Sequence, residues 1–316
     1  MTRPLLPNAA TPDVFDALRR DEMQLRPGAE AVCARLGHGS ETLDRFPEGS
    51  LPVYAVGDTR VLKLYPPCFP GERDREMAAL RALEGRLPVP TPTVEAAGEA
   101  WGWEYLLMER LRGVGLAAAW PRIPDEDRLR LAGTLGEALR VLHGLGVEGL
   151  DVLRSDWNAF LAGQRDACVE RQRRLGLAER WLEQIPGFLA GTPLGEHAGS
   201  LLHTEVMREH LLVLERPEGW ILSGLFDLEP AMVGAPEYEF ASVGLFVTCG
   251  DPRLLHRVLT AYGYPGDGVD AALQRRFLAY ALLHRYSNLP WYVDRLPPPA
   301  GARSLDDLAA HWWALP

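Results

Sequence analysis

Apolar and polar positions sort the first third of the chain into short strands around one helix. Leu51 to Val56 and Arg60 to Tyr65 are apolar runs of strand length, and Gly57-Asp58-Thr59 between them is a hairpin signal. Lys63 lies inside the second run, between Leu62 and Leu64; taken alone, a lysine in an alternating strand reads as solvent-facing. Met77, Leu80 and Leu83 give Glu72 to Leu83 helical spacing, which Pro88 to Pro92 breaks. Trp103 to Leu111 follows as a third strand and is halted by Arg112-Gly113. Ahead of these, Asp13 to Arg20 and Ala29 to Leu36 read as two short helices. The order strand, strand, helix, strand predicts a small mixed sheet with one helix packed on it.

Beyond Gly113 the pattern becomes helical. Leu131, Leu135, Leu139 and Leu142 recur at helical spacing until Gly144 ends the run. Gly144 to Gly149 spells G-x-G-x-x-G, but it follows a helix where the dinucleotide motif must follow a strand, so it reads as a turn. Asp166 to Leu182, Pro252 to Tyr262 and Val269 to Tyr286 read as further helices, and an irregular tail from Pro297 ends in a short helix carrying Trp312 and Trp313.

One stretch is built differently. The apolar pair Leu201-Leu202 and the run Leu211 to Leu214 flank His203-Thr204-Glu205-Val206-Met207-Arg208-Glu209-His210, a segment rich in ionisable side chains. Another strand-like run, Trp220 to Phe226, ends at Asp227. A paired strand–loop–strand would bring Glu205, His210 and Asp227 together on rigid supports. A sheet-rich lobe over residues 1–112, a link near 109–113 and a helical lobe over 113–316 would leave a cleft between them for a ligand.

Composition narrows the function classes. The 316 residues suffice for roughly two domains of about 150 residues each. A net charge of −10 argues against nucleic acid, whose phosphates need a basic face, and is compatible with a cationic small molecule. Cys33, Cys68, Cys168 and Cys249 are far apart and form no C-x-x-C pair, which fits a reducing cytoplasm better than a disulfide framework or a zinc site. No stretch approaches the roughly 18 uninterrupted apolar residues of a membrane span, so a cytoplasmic, unexported protein is expected.

In order, these segments resemble the aminoglycoside phosphotransferase family, small-molecule kinases that share the protein-kinase fold. The similarity runs from about Leu51 to about Val243. Its parts are the strand lysine in Val61-Leu62-Lys63-Leu64-Tyr65 and the helix glutamate in Arg75-Glu76-Met77-Ala78-Ala79-Leu80. Then come the apolar strand and glycine link of Leu106 to Gly113, and the loop His203 to His210 in the place of H-G-D-x-x-x-x-N. Last is Leu225-Phe226-Asp227-Leu228-Glu229, followed by Gly234-Ala235-Pro236-Glu237-Tyr238-Glu239. The resemblance implies an α+β, two-lobed protein-kinase-like fold, with a small antiparallel sheet and one helix in the N-lobe and a mainly helical C-lobe. It further implies that Lys63 binds the α- and β-phosphates of ATP or GTP and that Glu76 orients it. Backbone groups of Glu109 and Leu111 would hold the base, Asp227 would hold Mg²⁺ (with Mn²⁺ as an alternative), and Glu205 would accept or orient the acceptor's hydroxyl proton. His203 is expected to brace the loop.

Four positions depart from the family pattern. Glu205 stands in place of aspartate, on a stem one methylene longer. His210 stands in place of a metal-binding asparagine, and imidazole suits manganese, zinc or iron better than magnesium. His210 therefore reads as a ligand for a softer metal, as a hydrogen-bond partner of a phosphate or water, or as the mark of a loop that has lost catalysis. Ala235 and Glu239 replace loop-bracing aspartates; Glu239 can substitute for one, whereas Ala235 has no side-chain acceptor. His203-Thr204-Glu205 also matches half of the zinc deaminase signature, but no P-C-x-x-C follows. The resemblance thus implies transfer of a γ-phosphate to a hydroxyl of an aminoglycoside or related antibiotic. The alternatives are another small metabolite, sugar or nucleoside-type antibiotic as acceptor, or a pseudokinase binding a nucleotide or partner. Asp156-Trp157-Asn158, the helix after Asp166, Trp291 and Asp306-Asp307 are the expected acceptor groups.

Overall fold

The computed structural model describes residues 4–195, 197–265 and 270–316. The chain forms two compact units: residues 1–85, 90–112 and 224–230 make one, and residues 86–89, 113–223 and 231–316 make the other.

In the first unit α1 (Pro12–Leu18) and α2 (Glu22–Arg35) precede the strands β1 (Leu43–Arg45), β2 (Val53–Val56) and β3 (Arg60–Tyr65). Then come α3 (Glu72–Leu83), β4 (Val94–Ala100) and β5 (Trp103–Glu109). The five strands form an antiparallel sheet in the order β1-β2-β3-β5-β4. β3 is central, with Lys63 opposite Val53 on one side and Leu106 on the other. Both faces of β3 are covered: Leu62 and Leu64 on one and Tyr65 on the other are each 0% exposed, worth about 1.5–3 kcal/mol per apolar side chain. Lys63 therefore does not face solvent, contrary to the reading of its strand alone.

Sequence pattern and structure part company at several places here, among them β1, which no apolar run announced. Helix α2 begins at Glu22 rather than Ala29, because Asp21 caps it through Met23 and Gln24 and it runs through Pro27. Strand β4, built of Val, Glu, Ala and Gly, has no apolar run to announce it; it exists by pairing with β5. Gly98 is needed there, since a Cβ would come within 2.5 Å of the Tyr105 hydroxyl. Strand β5 stops at Glu109, two residues short of Leu111.

The second unit opens with β6 (Val114–Gly115), α4 (Leu116–Ala119) and α5 (Asp125–Gly144). Next are α6 (Trp157–Arg174), α7 (Glu179–Leu182) and α8 (Ile185–Ala190), then β7 (Ser200–Leu202), β8 (Leu211–Arg216), β9 (Gly219–Leu225) and β10 (Met232–Gly234). Helix α9 (Glu239–Ser242) runs into a π-helical stretch, Val243–Thr248, and α10 (Pro252–Tyr262), α11 (Ala271–Leu283), α12 (Leu289–Arg295) and α13 (Leu305–Trp312) complete the unit. The expected single helix from Asp166 to Leu182 is two, divided at Gly176 with φ +89°, and its first part starts earlier because Asp156 caps it. The first residue of the expected helix from Val269 lies outside the described residues; its far end stops at Leu283, where His284 turns to an extended backbone. Two small sheets position the chemistry: β7 pairs with β10, and β6, β8 and β9 lie side by side in that order. The 203–210 loop leaves β7 and enters β8, with Arg208–His210 as a 3₁₀ turn.

Candidate active site

In the first unit the ammonium of Lys63 is ringed by three carboxylates: Glu76 at 2.8 Å, Asp227 at 2.6 Å and Glu229 at 2.6 Å. Strand β3 carries the lysine, α3 carries Glu76, and residues 224–230 bring in the other two, anchored where the Leu225 N–H donates to the Pro90 carbonyl at 2.9 Å. Tyr65, two residues along β3, donates its hydroxyl to Glu76 at 2.5 Å and so fixes the carboxylate that meets Lys63. Lys63 is 5% exposed and Glu76 1%, whereas the Asp227 side chain keeps 32% of its surface. The Lys63–Glu76 pair is thus enclosed, and Asp227 is the member of the group open to solvent.

The electrostatics follow from this crowding. Burial pulls the Lys63 pKa down, but Asp227, Glu229 and Glu76 together lift it well above its usual value, so the ammonium stays charged. The Glu76 carboxyl is pushed up by burial, against the attraction of Lys63 and with the repulsion of Asp227 and Glu229. Glu72 is raised to about 7 by burial and by Glu229. Three carboxylates share one ammonium, and the surplus is negative. Glu229 Oε2 lies close to the ammonium yet outside hydrogen-bonding geometry. Asp227 holds φ +69°, a conformation costing a non-glycine residue about 1–3 kcal/mol and found where strain serves a site.

Glu76, Asp227 and Glu229 present ligand atoms within 4.8 Å of one another and form the group of metal-capable side chains found among the described residues. Hard carboxylate oxygens, one of them without a hydrogen bond, fit a hard divalent cation such as Mg²⁺. His210 is not in that group. Glu229 was given no role from sequence; the turn that follows Asp227, which itself holds a left-handed φ, brings it to the same ammonium. Of the two backbone positions expected to hold a base, Glu109 spends its N–H on the Thr93 carbonyl at 2.8 Å.

In the second unit side chains from several elements hold the 203–210 loop. The buried Glu239 accepts the His203 N–H at 2.8 Å. Although burial raises its pKa, His143 and His203 more than reverse that, so the carboxylate is held below its usual range. Glu239 thus does the work of a missing aspartate, while Ala235 is fully buried and contributes only its methyl group. The Glu205 N–H donates to His203 Nδ1 at 3.3 Å, and the Glu205 carbonyl lies 2.8 Å from His210 Nδ1. A carbonyl only accepts, so His210 carries its proton on Nδ1, and any metal or phosphate contact would be through Nε2. The rings of His203 and His210 are stacked 6.0 Å apart.

Arg208 donates Nε and Nη2 to the Val247 carbonyl at 2.8 and 2.6 Å, at the end of the π-helical stretch, and lies over the Trp120 ring at 3.6 Å. Burial lowers its pKa. His284 ties the carbonyl of Thr204 at 3.1 Å. Neither role was legible beforehand.

The expected acceptor groups divide. Asp156 caps α6 through the Ala159 N–H, Asp307 closes a capping box with Ser304, and Asp306 is paired with Arg275, so all three carboxylates have structural partners. Trp157, Asn158 and Asp166 line a cavity of about 980 Å³ together with Arg165 and His197; it lies toward the start of β7, whereas the loop leaves its end. Trp291 is 41% exposed and Tyr286 53%, and a chain of contacts links them. Phe246 lies 5.5 Å from Trp291 with the rings tilted by 30° and meets Tyr292 edge-on at 5.7 Å, and the Tyr292 hydroxyl, within the field of Glu205, reaches the Tyr286 carbonyl. Arg295 lies over Trp291.

A family model described as the phosphotransferase enzyme family (APH) matches residues 42–276. Among solved structures, the GDP complex of wild-type aminoglycoside 2'-phosphotransferase-IIIa is 18% identical, with a TM-score of 0.66 over 84% of this chain and 88% of that one. A ternary complex of streptomycin, ATP and APH(2")-IIa is 16% identical, with a TM-score of 0.59 over 84% and 91%. The apoenzyme of a macrolide 2'-phosphotransferase from Brachybacterium faecium is 20% identical, with a TM-score of 0.58 over 87% and 99%. At these identities the likeness is one of fold: α+β and kinase-like.

Proposed function

The chain belongs to the phosphotransferase enzyme family, and we propose that it moves the γ-phosphate of ATP or GTP to a hydroxyl of an aminoglycoside or related antibiotic. The observation that carries this reading is the buried Lys63 ammonium held by Glu76 behind it and by the part-exposed Asp227 before it. Phosphoryl transfer spreads negative charge over the transferred group, so it is catalysed by positioning and by charge neutralisation. On entry of a nucleotide, Lys63 exchanges an aspartate oxygen for the α- and β-phosphates while Glu76, fixed by Tyr65, keeps the ammonium aimed. Asp227 and Glu229 are the residues that would hold Mg²⁺. That ion, when bound, neutralises phosphate charge. Glu205 takes or orients the proton of the acceptor hydroxyl, and the bonds from Glu239, His203 and His210 keep its backbone from shifting. Backbone groups of Glu109 and Leu111 would meet the base.

The exposed rings of Tyr286 and Trp291 favour a second reading of the acceptor: an uncharged hydroxylated molecule with an apolar ring face, such as a sugar-bearing antibiotic. A polycation needs unpaired carboxylates, and Asp156, Asp306 and Asp307 are engaged elsewhere. Purified protein with γ-labelled ATP or GTP and a panel of aminoglycosides, macrolides and simple sugars tests both readings. Labelled acceptor that disappears in Glu205→Ala supports transfer, and the panel member labelled fastest decides the acceptor. Tight nucleotide binding with no transfer under Mg²⁺ or Mn²⁺ would leave a pseudokinase.

A further inference from the structure

We infer that His284 is a positioning residue for Glu205: its ring holds Thr204 in a left-handed backbone conformation from which Glu205 is presented. The inference rests on the role of Glu205 proposed above. Thr204 has φ +74° and is fully buried. A β-branched residue resists that conformation, and left alone Thr204 would return to negative φ and turn the peptide that carries Glu205. Sequence resemblance puts glycine at this place, and glycine needs no such restraint.

The restraint is specific. His284 Nε2 lies 3.1 Å from the Thr204 carbonyl, and its Nδ1 lies 3.3 Å from the Tyr286 N–H. A carbonyl can only accept and an N–H only donate, so the imidazole is neutral with its proton on Nε2. Tyr238 stacks on the ring at 4.8 Å with 24° between planes, and the Tyr238 hydroxyl accepts the Arg285 N–H at 3.1 Å. The ring is thus held at both nitrogens and on one face. Its surroundings agree: burial, Arg285 and Arg171 lower the imidazole pKa to about 4, against the Thr204 carbonyl and the more distant Glu239, so the donor persists at neutral pH. The helix α11 ends at Leu283 and His284 adopts ψ 141°, which takes its backbone out of the helix.

The full-length chain is tested as wild type, His284→Ala, His284→Gln, Thr204→Gly and the His284→Ala/Thr204→Gly double variant. His284→Ala should lower kcat about 10- to 100-fold while KM for the nucleotide stays within about twofold, because a displaced carboxylate impairs transfer rather than nucleotide binding. Thr204→Gly should return most of that loss in the double variant, and His284→Gln, which restores an N–H donor, should fall between. Hydrogen exchange at the Glu205 amide gives a readout independent of turnover: faster in His284→Ala, near wild type in His284→Gln. If wild type transfers no phosphate, the phosphotransfer reading fails and the exchange arm alone decides the His284–Thr204 link. If His284→Ala does not fold, recovery of folding in the double variant supports the link. The inference is overturned if His284→Ala keeps both kcat and Glu205 amide exchange within about twofold, or if neither Thr204→Gly nor His284→Gln restores any loss.

Discussion

Replacing Lys63 by methionine keeps an unbranched side chain of nearly the same reach and removes the ammonium that three carboxylates share. Removing one partner of a buried ion pair costs about 3–5 kcal/mol. Here Glu76 is 1% exposed but the Asp227 side chain is 32% exposed, so part of the repulsion left behind is screened, and about 3 kcal/mol near pH 8 is expected. The pH dependence has a definite sign. In wild type the raised Lys63 pKa contributes stability that is fully present below the unfolded lysine value, about 10.4, and is lost as pH rises through the higher folded value. The Glu76 carboxyl is already raised by burial and loses the attraction of Lys63 in Lys63→Met, so the native state of the variant binds protons before the unfolded chain does and is stabilised as pH falls. The stability gap should therefore narrow by about 2 kcal/mol between about pH 8 and pH 5. Thermal unfolding followed by circular dichroism at several pH values reads this as a Tm deficit of roughly 5–8 °C that shrinks on acidification. Millimolar Mg²⁺ should recover part of it by occupying the acidic group. A variant as stable as wild type at every pH, or a deficit that grows as pH falls, would refute the electrostatic reading.

Further outcomes follow from the loop. Glu239→Ala leaves the buried His203 N–H without its acceptor and should cost about 3–5 kcal/mol in thermal or urea unfolding, with Glu239→Gln recovering part of it. Because the Glu239 pKa is depressed, the advantage of wild type over Glu239→Gln should be present above the unfolded glutamate value and be lost as pH falls through the folded one. For His284 the folded pKa of about 4 lies below the unfolded value of about 6.5, so stability relative to His284→Gln should fall on acidification across that window, by about 3 kcal/mol in total. His210→Asn should keep or raise transfer with Mg²⁺ relative to Mn²⁺ in paired rate measurements; complete loss with both ions would give the imidazole a role of its own.

Strongly patterned parts of the fold could be read from the residues. Strand β3, helix α3 and helix α10 begin and end where their apolar spacing and flanking turns indicate, because local pattern and tertiary packing agree there. Strand β4 could not be read, since alanine and glutamate carry little strand preference and only its pairing with β5 makes it one. The Lys63–Glu76 pair was expected from motif order, and the structure sets it at 2.8 Å. Glu229 stood in the quoted run without a role because only the folded segment shows it reaching the same ammonium. His284 and Arg208 bond to backbone carbonyls, partners with no sequence signature, so their hold on the loop and the π-helical stretch emerges only in three dimensions.

The central claim is that Lys63, Asp227 and Glu229 make a site for a nucleotide triphosphate and its metal ion. Calorimetric titration with a non-hydrolysable ATP or GTP analogue tests it most directly. Wild type should bind at least one of the two with affinity that rises when Mg²⁺ is present, and Lys63→Ala should bind at least about tenfold more weakly. Equal affinity in wild type and Lys63→Ala, or no binding of either analogue with or without the ion, would contradict it.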